Sequence, residues 1–263
     1  DWSSDVCSSD LTPQFTAISA TGMAGLSTTQ VAGLTTTQLA SLTATELYGL
    51  TATQVGALTA SQFASLTSTM ISDLSATGVS GLTTTQIDEL TLTQIAGLRS
   101  TQIGALTTTA VAELSSTDIA ALTVDQLAGL VRMQLRSLTS TQVGALSTTQ
   151  IAALTTTQAA NLSSTEISEM TSTQIAAFTS TQVGAMTATQ LSSLSVTAAQ
   201  SLAATQFAQL TTTTMSALTS TFLAELTLGE IAALNGEQIG ALSTTQTAAM
   251  STAQLAALTA AAA

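Results

Sequence analysis

Large apolar residues recur along this chain at intervals that alternate between three and five. Writing the repeat as positions a to h from Leu11 keeps one register to Leu258, 248 residues or 31 octads, without an insertion or deletion. Position h is always apolar: Leu in 26 copies and Ile18, Met170, Phe178, Met186 or Met250 in the rest. Position e is mostly Ile, Val, Leu, Phe or Met, whereas f and g are mostly Ala, Gly or Ser. The polar positions are equally regular. Position a is Ser or Thr in 26 copies, c is Thr in 24, and d is Gln in 20 and Glu in 3 (Glu46, Glu166, Glu230). TTTQLASL (Thr35–Leu42) and STTQIAAL (Ser147–Leu154) are typical copies.

Positions a to d therefore read Ser/Thr-x-x-Gln/Glu, which is a helix capping box. The hydroxyl at the N-cap accepts from the amide three residues on, and the side chain there reaches back to the N-cap amide. The residue before the cap is h of the preceding octad and the fourth helical residue is e. This apolar pair is a hydrophobic staple, as in Leu34, Thr35, Gln38 and Leu39. Each octad is thus predicted to start a helix at b and stop it near g or h. A single continuous helix does not fit, because spacings of three and five rotate the apolar stripe by about 80° per octad. Helices of under two turns do not persist alone, so stacked neighbours must hold them. The predicted fold is all-α, a solenoid of about 31 very short capped helices. A β-solenoid is the alternative, since Thr, Val and Ile favour strands. It would need a corner in each coil, because e and h fall on opposite faces of a strand.

The small residues at f and g are expected to let the helices approach closely, and two helices per superhelical turn is the starting guess. Residues 11–258 are treated as one octapeptide-repeat solenoid and residues 259–263 as a truncated Ala-rich tail. Residues 1–10, DWSSDVCSSD, share nothing with the octads. They resemble the translation of a DNA sequencing adapter and are set aside, together with Trp2 and Cys7.

Composition narrows the function classes. The chain carries a net charge of −12; without Asp1, Asp5 and Asp10 the balance is 3 − 12 = −9. There is no Lys and no His, and the cations are Arg99, Arg132 and Arg136. Such a surface cannot neutralise a row of phosphates, which argues against nucleic acid as a partner. No apolar run reaches the ~18–20 residues of a membrane span, so membrane insertion is not expected. Without His, Lys or a Cys in the octads, the usual general-base, Schiff-base, thiol and Cys/His zinc chemistries have no residues to use. The expectation is that the protein is not an enzyme. No catalytic, cofactor-binding or metal-ligating residue is nominated, and no cofactor is expected.

A few positions break the pattern. Asp88–Glu89 could hold a cation but reads more simply as an exposed acidic face. In 123–138, TVDQLAGLVRMQLRSL, Val131 replaces the cap. Arg132 and Arg136 lie four apart on one helix face, a contact for an anionic partner or simply a solvated face. Asn235 is a good cap, Gly236 reads as drift, and Tyr48 at f is expected to project outward. Asn161-Leu162-Ser163 fits a glycosylation sequon. Threonines at a and c could form ranks on a β-solenoid, similar to insect-type ice-binding proteins.

The octads resemble the Leu-Thr-x-x-Gln-Ile/Val-x-Ala-Leu arrays of large bacterial surface or secreted proteins, often labelled adhesion or haem-utilisation proteins. The resemblance covers residues 11–258. It implies a structural scaffold, spacer or adhesin-like stalk at the cell surface or outside the cell. Such a scaffold would bind an unknown protein or surface ligand through its Thr and Gln positions. It carries over no haem ligand, since there is no His. Uncapped ends would allow self-association.

Overall fold

The computed structural model describes residues 19–262. The adapter-like residues 1–10 and the first octad, 11–18, lie outside them. The described residues form thirty short helices and no strand. The helical alternative is therefore the one that forms, and the flat, strand-borne threonine rank of the β alternative is not present in these residues.

Each helix begins at position b, as the capping box requires. The helix Thr148–Ala153 has Ser147 as N-cap in an extended conformation (φ −71°, ψ 157°). The Ser147 hydroxyl accepts from the Gln150 amide at 3.2 Å, and the Ser147 amide donates to Gln150 Oε1 at 2.8 Å. The same box closes at Thr35, Thr51, Thr123, Thr171 and Asn235, among others. Where the hydroxyl is missing, at Arg99 and Ala203, only the glutamine half of the box forms. The N3 amide then donates to the N-cap carbonyl instead: Gln102 to Arg99 at 2.9 Å and Gln206 to Ala203 at 2.8 Å.

The helices end without a left-handed residue; no described residue has a positive φ. Termination instead comes from the h residue, which turns to an extended conformation before the next cap. Leu146, for example, has φ −62° and ψ 125°. The final helix, Thr252–Ala261, runs past Leu258 into the alanines. Those residues hold no large apolar staple and have the highest helix propensity.

The described chain divides into two compact units between Leu130 and Val131. The same packing rule holds inside each. A helix packs against the helix three octads away: Ala44–Gly49 against Ala20–Ala24 and Ser100–Ala105 against Val124–Ala128 in the first unit. In the second, Thr156–Asn161 packs against Ser180–Ala185 and Leu228–Ala232 against Thr252–Ala261. Side-chain bonds meanwhile reach four octads back, for instance from Gln54 to Leu26 across 28 residues. One superhelical turn therefore takes between three and four octads; the 28-residue offset divided by the octad length gives 28/8 = 3.5. This corrects the expectation of two helices per turn, which assumed a layer of paired helices.

Positions e and h fill the interior. Val55, Phe63, Ile103, Ile151 and Phe207 at e are fully buried, and nearly all h residues join them. Most Gln and Glu residues at position d are buried too, although they are polar. Several of the small f and g residues sit where backbones nearly touch. A Cβ on Gly81 or Gly129, both at g, would strike the backbone at position b three octads earlier, at Ala52 and Ser100 respectively. These are close approaches, not turns, so glycine is present for its lack of volume.

Candidate functional site

The most regular chemical feature is the glutamine at d. Its Oε1 closes the capping box of its own helix. Its Nε2 donates to the carbonyls at e and h four octads earlier. In the first unit Gln62 Nε2 donates to Val31 O at 2.9 Å and Leu34 O at 2.7 Å, and Gln126 Nε2 to Ile95 O and Leu98 O, both at 2.7 Å. In the second, Gln174 donates to Val143 O at 3.0 Å and Leu146 O at 2.9 Å, and Gln246 to Met215 O at 2.9 Å and Leu218 O at 2.8 Å.

A helix leaves its last four carbonyls without intrahelical partners. In helices of four to six residues this is most of the backbone. The glutamine amide, carrying an acceptor and two donors, satisfies a helix start in one turn and a helix end in the turn before. It is a structural staple, and its burial removes Gln from the surface. The expected Thr/Gln binding face therefore loses most of its glutamines and is mainly one of hydroxyls: Thr at c is exposed, as at Thr53, Thr85, Thr149 and Thr173.

Glutamate at d can do only half of this. Glu46, Glu166 and Glu230 accept from their N-cap amides through Oε2, at 2.6, 2.5 and 2.5 Å. In each case Oε1 is buried with no hydrogen-bond partner. Burial pushes the Glu166 and Glu230 carboxyls up from their ordinary value. The bonds from Ser163 and Thr227 pull the other way, and at Glu166 so does the charge of Arg136.

The positions singled out from the sequence fall as follows. Asp88 and Glu89 are both exposed, and among the described residues no cluster of three or more His, Cys, Asp or Glu could hold a metal ion. Arg132 and Arg136 are exposed. Arg136 is engaged within the protein, its Nε donating to Asn161 O at 3.0 Å three octads on. Gln200, also at f, makes the equivalent bond to Glu225 O at 3.2 Å. A long polar f side chain thus caps a neighbouring helix end, an intramolecular use that the anionic-partner reading did not anticipate. Arg99 lies 3.6 Å from Asp73. This is a surface pair of the kind worth about 0–1 kcal/mol.

Asn235 caps as expected, accepting from the Gln238 amide at 2.9 Å, and a Cβ on Gly236 would meet open space. Tyr48 projects outward, 61% exposed. Asn161 closes the helix Thr156–Asn161 and Ser163 caps the next one, so both residues of the sequon have structural roles.

Two of the concavities are shallow, open grooves between octads three apart. One is lined by Ser100, Thr101, Gly104, Asp125, Ala128 and Gly129. Another is lined by Ser68, Thr69, Ser72, Thr93, Gly97 and Arg99 among its residues. They offer hydroxyls and backbone, with no convergence of perturbed titratable groups of the kind that marks a reaction centre. No described helix is long and apolar enough to cross a membrane.

The sequence signal for the glutamine staple was present but unread. A capping box is served by Gln or Glu alike, so a preference of 20 to 3 for Gln asks for a donor that the box does not need. No curated protein matches the chain. A family model described as the ALTTAQ repeat matches residues 133–164. That stretch is four octad lengths and includes Ala153–Gln158, which reads ALTTTQ; by this match the array is similar to a repeat family.

Proposed function

We propose that the chain is a non-enzymatic repeat scaffold, a spacer or adhesin-like stalk of an extracellular bacterial protein that presents a hydroxyl-rich surface to a protein or surface ligand. The observation that carries this reading is the use of the recurrent polar side chains. The a hydroxyls and the d glutamines, which would be the natural material for a site, are taken up in capping and stapling bonds that repeat in both units. A chain that spends its polar groups on its own regularity is suited to hold a distance.

A scaffold of this kind should tolerate loss of whole octads. Deleting residues 147–154 restores every contact rule with the next octad. The variant is expected to stay helical by circular dichroism, with a modest fall in thermal stability that is the same wherever one octad is removed. Deleting residues 147–150 alone breaks the register and is expected to abolish cooperative unfolding of the surrounding octads. An octad whose individual removal destroys folding, while its neighbours are dispensable, would overturn the scaffold reading.

A further inference from the structure

The glutamine register fixes what lies opposite the orphan oxygens of the two glutamates in the second unit. Counting back 31 and 28 residues, as Gln174, Gln182, Gln190, Gln238 and Gln246 do, gives Leu135 and Leu138 for Glu166, and Ala199 and Leu202 for Glu230. In octads with Gln these carbonyls receive an N–H. Here a second acceptor stands in its place, itself 3% exposed at both residues. A carboxylate has no hydrogen to offer, and a glutamine nitrogen sits only about 3 Å from such carbonyls, as in Gln174 to Val143 at 3.0 Å. That spacing admits a proton between two oxygens but not a hydrated ion.

We propose that Glu166 and Glu230 are proton-loaded staples, and that binding a proton on Oε1 locks each octad to the superhelical turn before it. In the neutral acid Oε2 keeps the N-cap amide and Oε1–H donates to the carbonyl of the earlier helix, reproducing both halves of the glutamine bond. Loss of the proton to solvent leaves a buried negative charge facing a helix C-terminus, which is the negative end of the helix dipole.

The surroundings favour the neutral form unequally. At Glu166 the opposing helix brings Arg132 and Arg136, and the charge of Arg136 offsets part of the burial, while Glu169 in the same helix adds to it. The helix three octads on, Ala188–Ser192, holds no ionisable group, nor does Ser140–Ala145 on the other side. At Glu230 the packed helices Ala204–Phe207 and Thr252–Ala261 and the octad 195–202 carry no charge, and the adjoining octads supply only Glu225 and Glu237.

The folded-state value is raised above the ordinary 4.5 in both groups. Their contribution to stability is therefore complete below the unfolded value and is lost as pH rises through the folded one.

The test compares thermal unfolding of the full chain with that of the double variant Glu166→Gln/Glu230→Gln, at pH 7.5 and at pH 4.5. A control, Glu89→Gln/Glu237→Gln, removes two exposed charges. The double variant is expected to raise Tm by about 2–8 °C at pH 7.5 and to narrow that gap at pH 4.5, with the control close to the parent. A double variant no more stable than the parent at pH 7.5, or a control that gains as much, would overturn the proposal. Independently, the δ-carbon NMR signals of Glu166 and Glu230 should titrate above the ordinary glutamate value of 4.5; titration at or below that value would equally overturn it.

Discussion

Two adjacent octads, 163–170 and 171–178, differ at d by one functional group. Both start with a hydroxyl cap and both bury an isoleucine at e, Ile167 and Ile175. Gln174 then makes a bond to its own N-cap amide at 2.9 Å and bonds to Val143 and Leu146 in the preceding turn. Glu166 makes the first bond at 2.5 Å and leaves its other oxygen alone. Local helix formation needs only an acceptor at d, so both octads form helices. Joining one turn of the solenoid to the next needs a donor, which the glutamine supplies and an ionised glutamate lacks. The capping box and the superhelix are therefore separate demands on one side chain.

Changes in octad 171–178 should separate these demands in order of size. Gln174→Ala removes the acceptor and the donor together. It leaves the Leu146 carbonyl and the Thr171 amide without partners, while Val143 O keeps the Leu146 amide at 3.2 Å, and should cost about 2–6 kcal/mol at one to three for each orphaned group. Gln174→Glu keeps the cap and loses the staple. It should cost about 1–3 kcal/mol at neutral pH, a loss that shrinks on acidification. If the glutamate variant is as damaging as the alanine variant at acid pH, the division of labour is wrong. Thr171→Ala removes only the hydroxyl half of the box, worth about 1 kcal/mol; Ala203 shows that the helix start survives this loss by turning the N3 amide to the N-cap carbonyl. Thr173→Ala at the exposed c position should fall within about 0.5 kcal/mol of the parent. All four can be read from denaturant midpoints of the full chain.

Much of this was legible in the sequence. The octad register, the helix starts at b, the staple residues at e and h and the outward Tyr48 follow from spacing and cap chemistry that act within eight residues. The number of octads per turn was not legible, because it depends on contacts 24 to 32 residues apart that no local period records. The second role of the glutamine was hidden for a related reason. The capping box already accounted for Gln38 or Gln150, so nothing local was left unexplained, and only the scarcity of glutamate at d pointed further. Arg136 shows the same limit. Its spacing from Arg132 is a fact of one helix, whereas its bond to Asn161 belongs to the packing of octads three apart.

The central claim is that, within each unit, glutamines at d join their helices to those four octads earlier. It is tested most directly by nuclear Overhauser contacts from the side-chain amide protons of Gln174 in the full chain. The account predicts contacts to Val143 and Leu146, 31 and 28 residues away, and slow exchange of those amide protons with solvent. Contacts confined to residues 171–178, or reaching instead to residues 155–162 as two helices per turn would require, would contradict it.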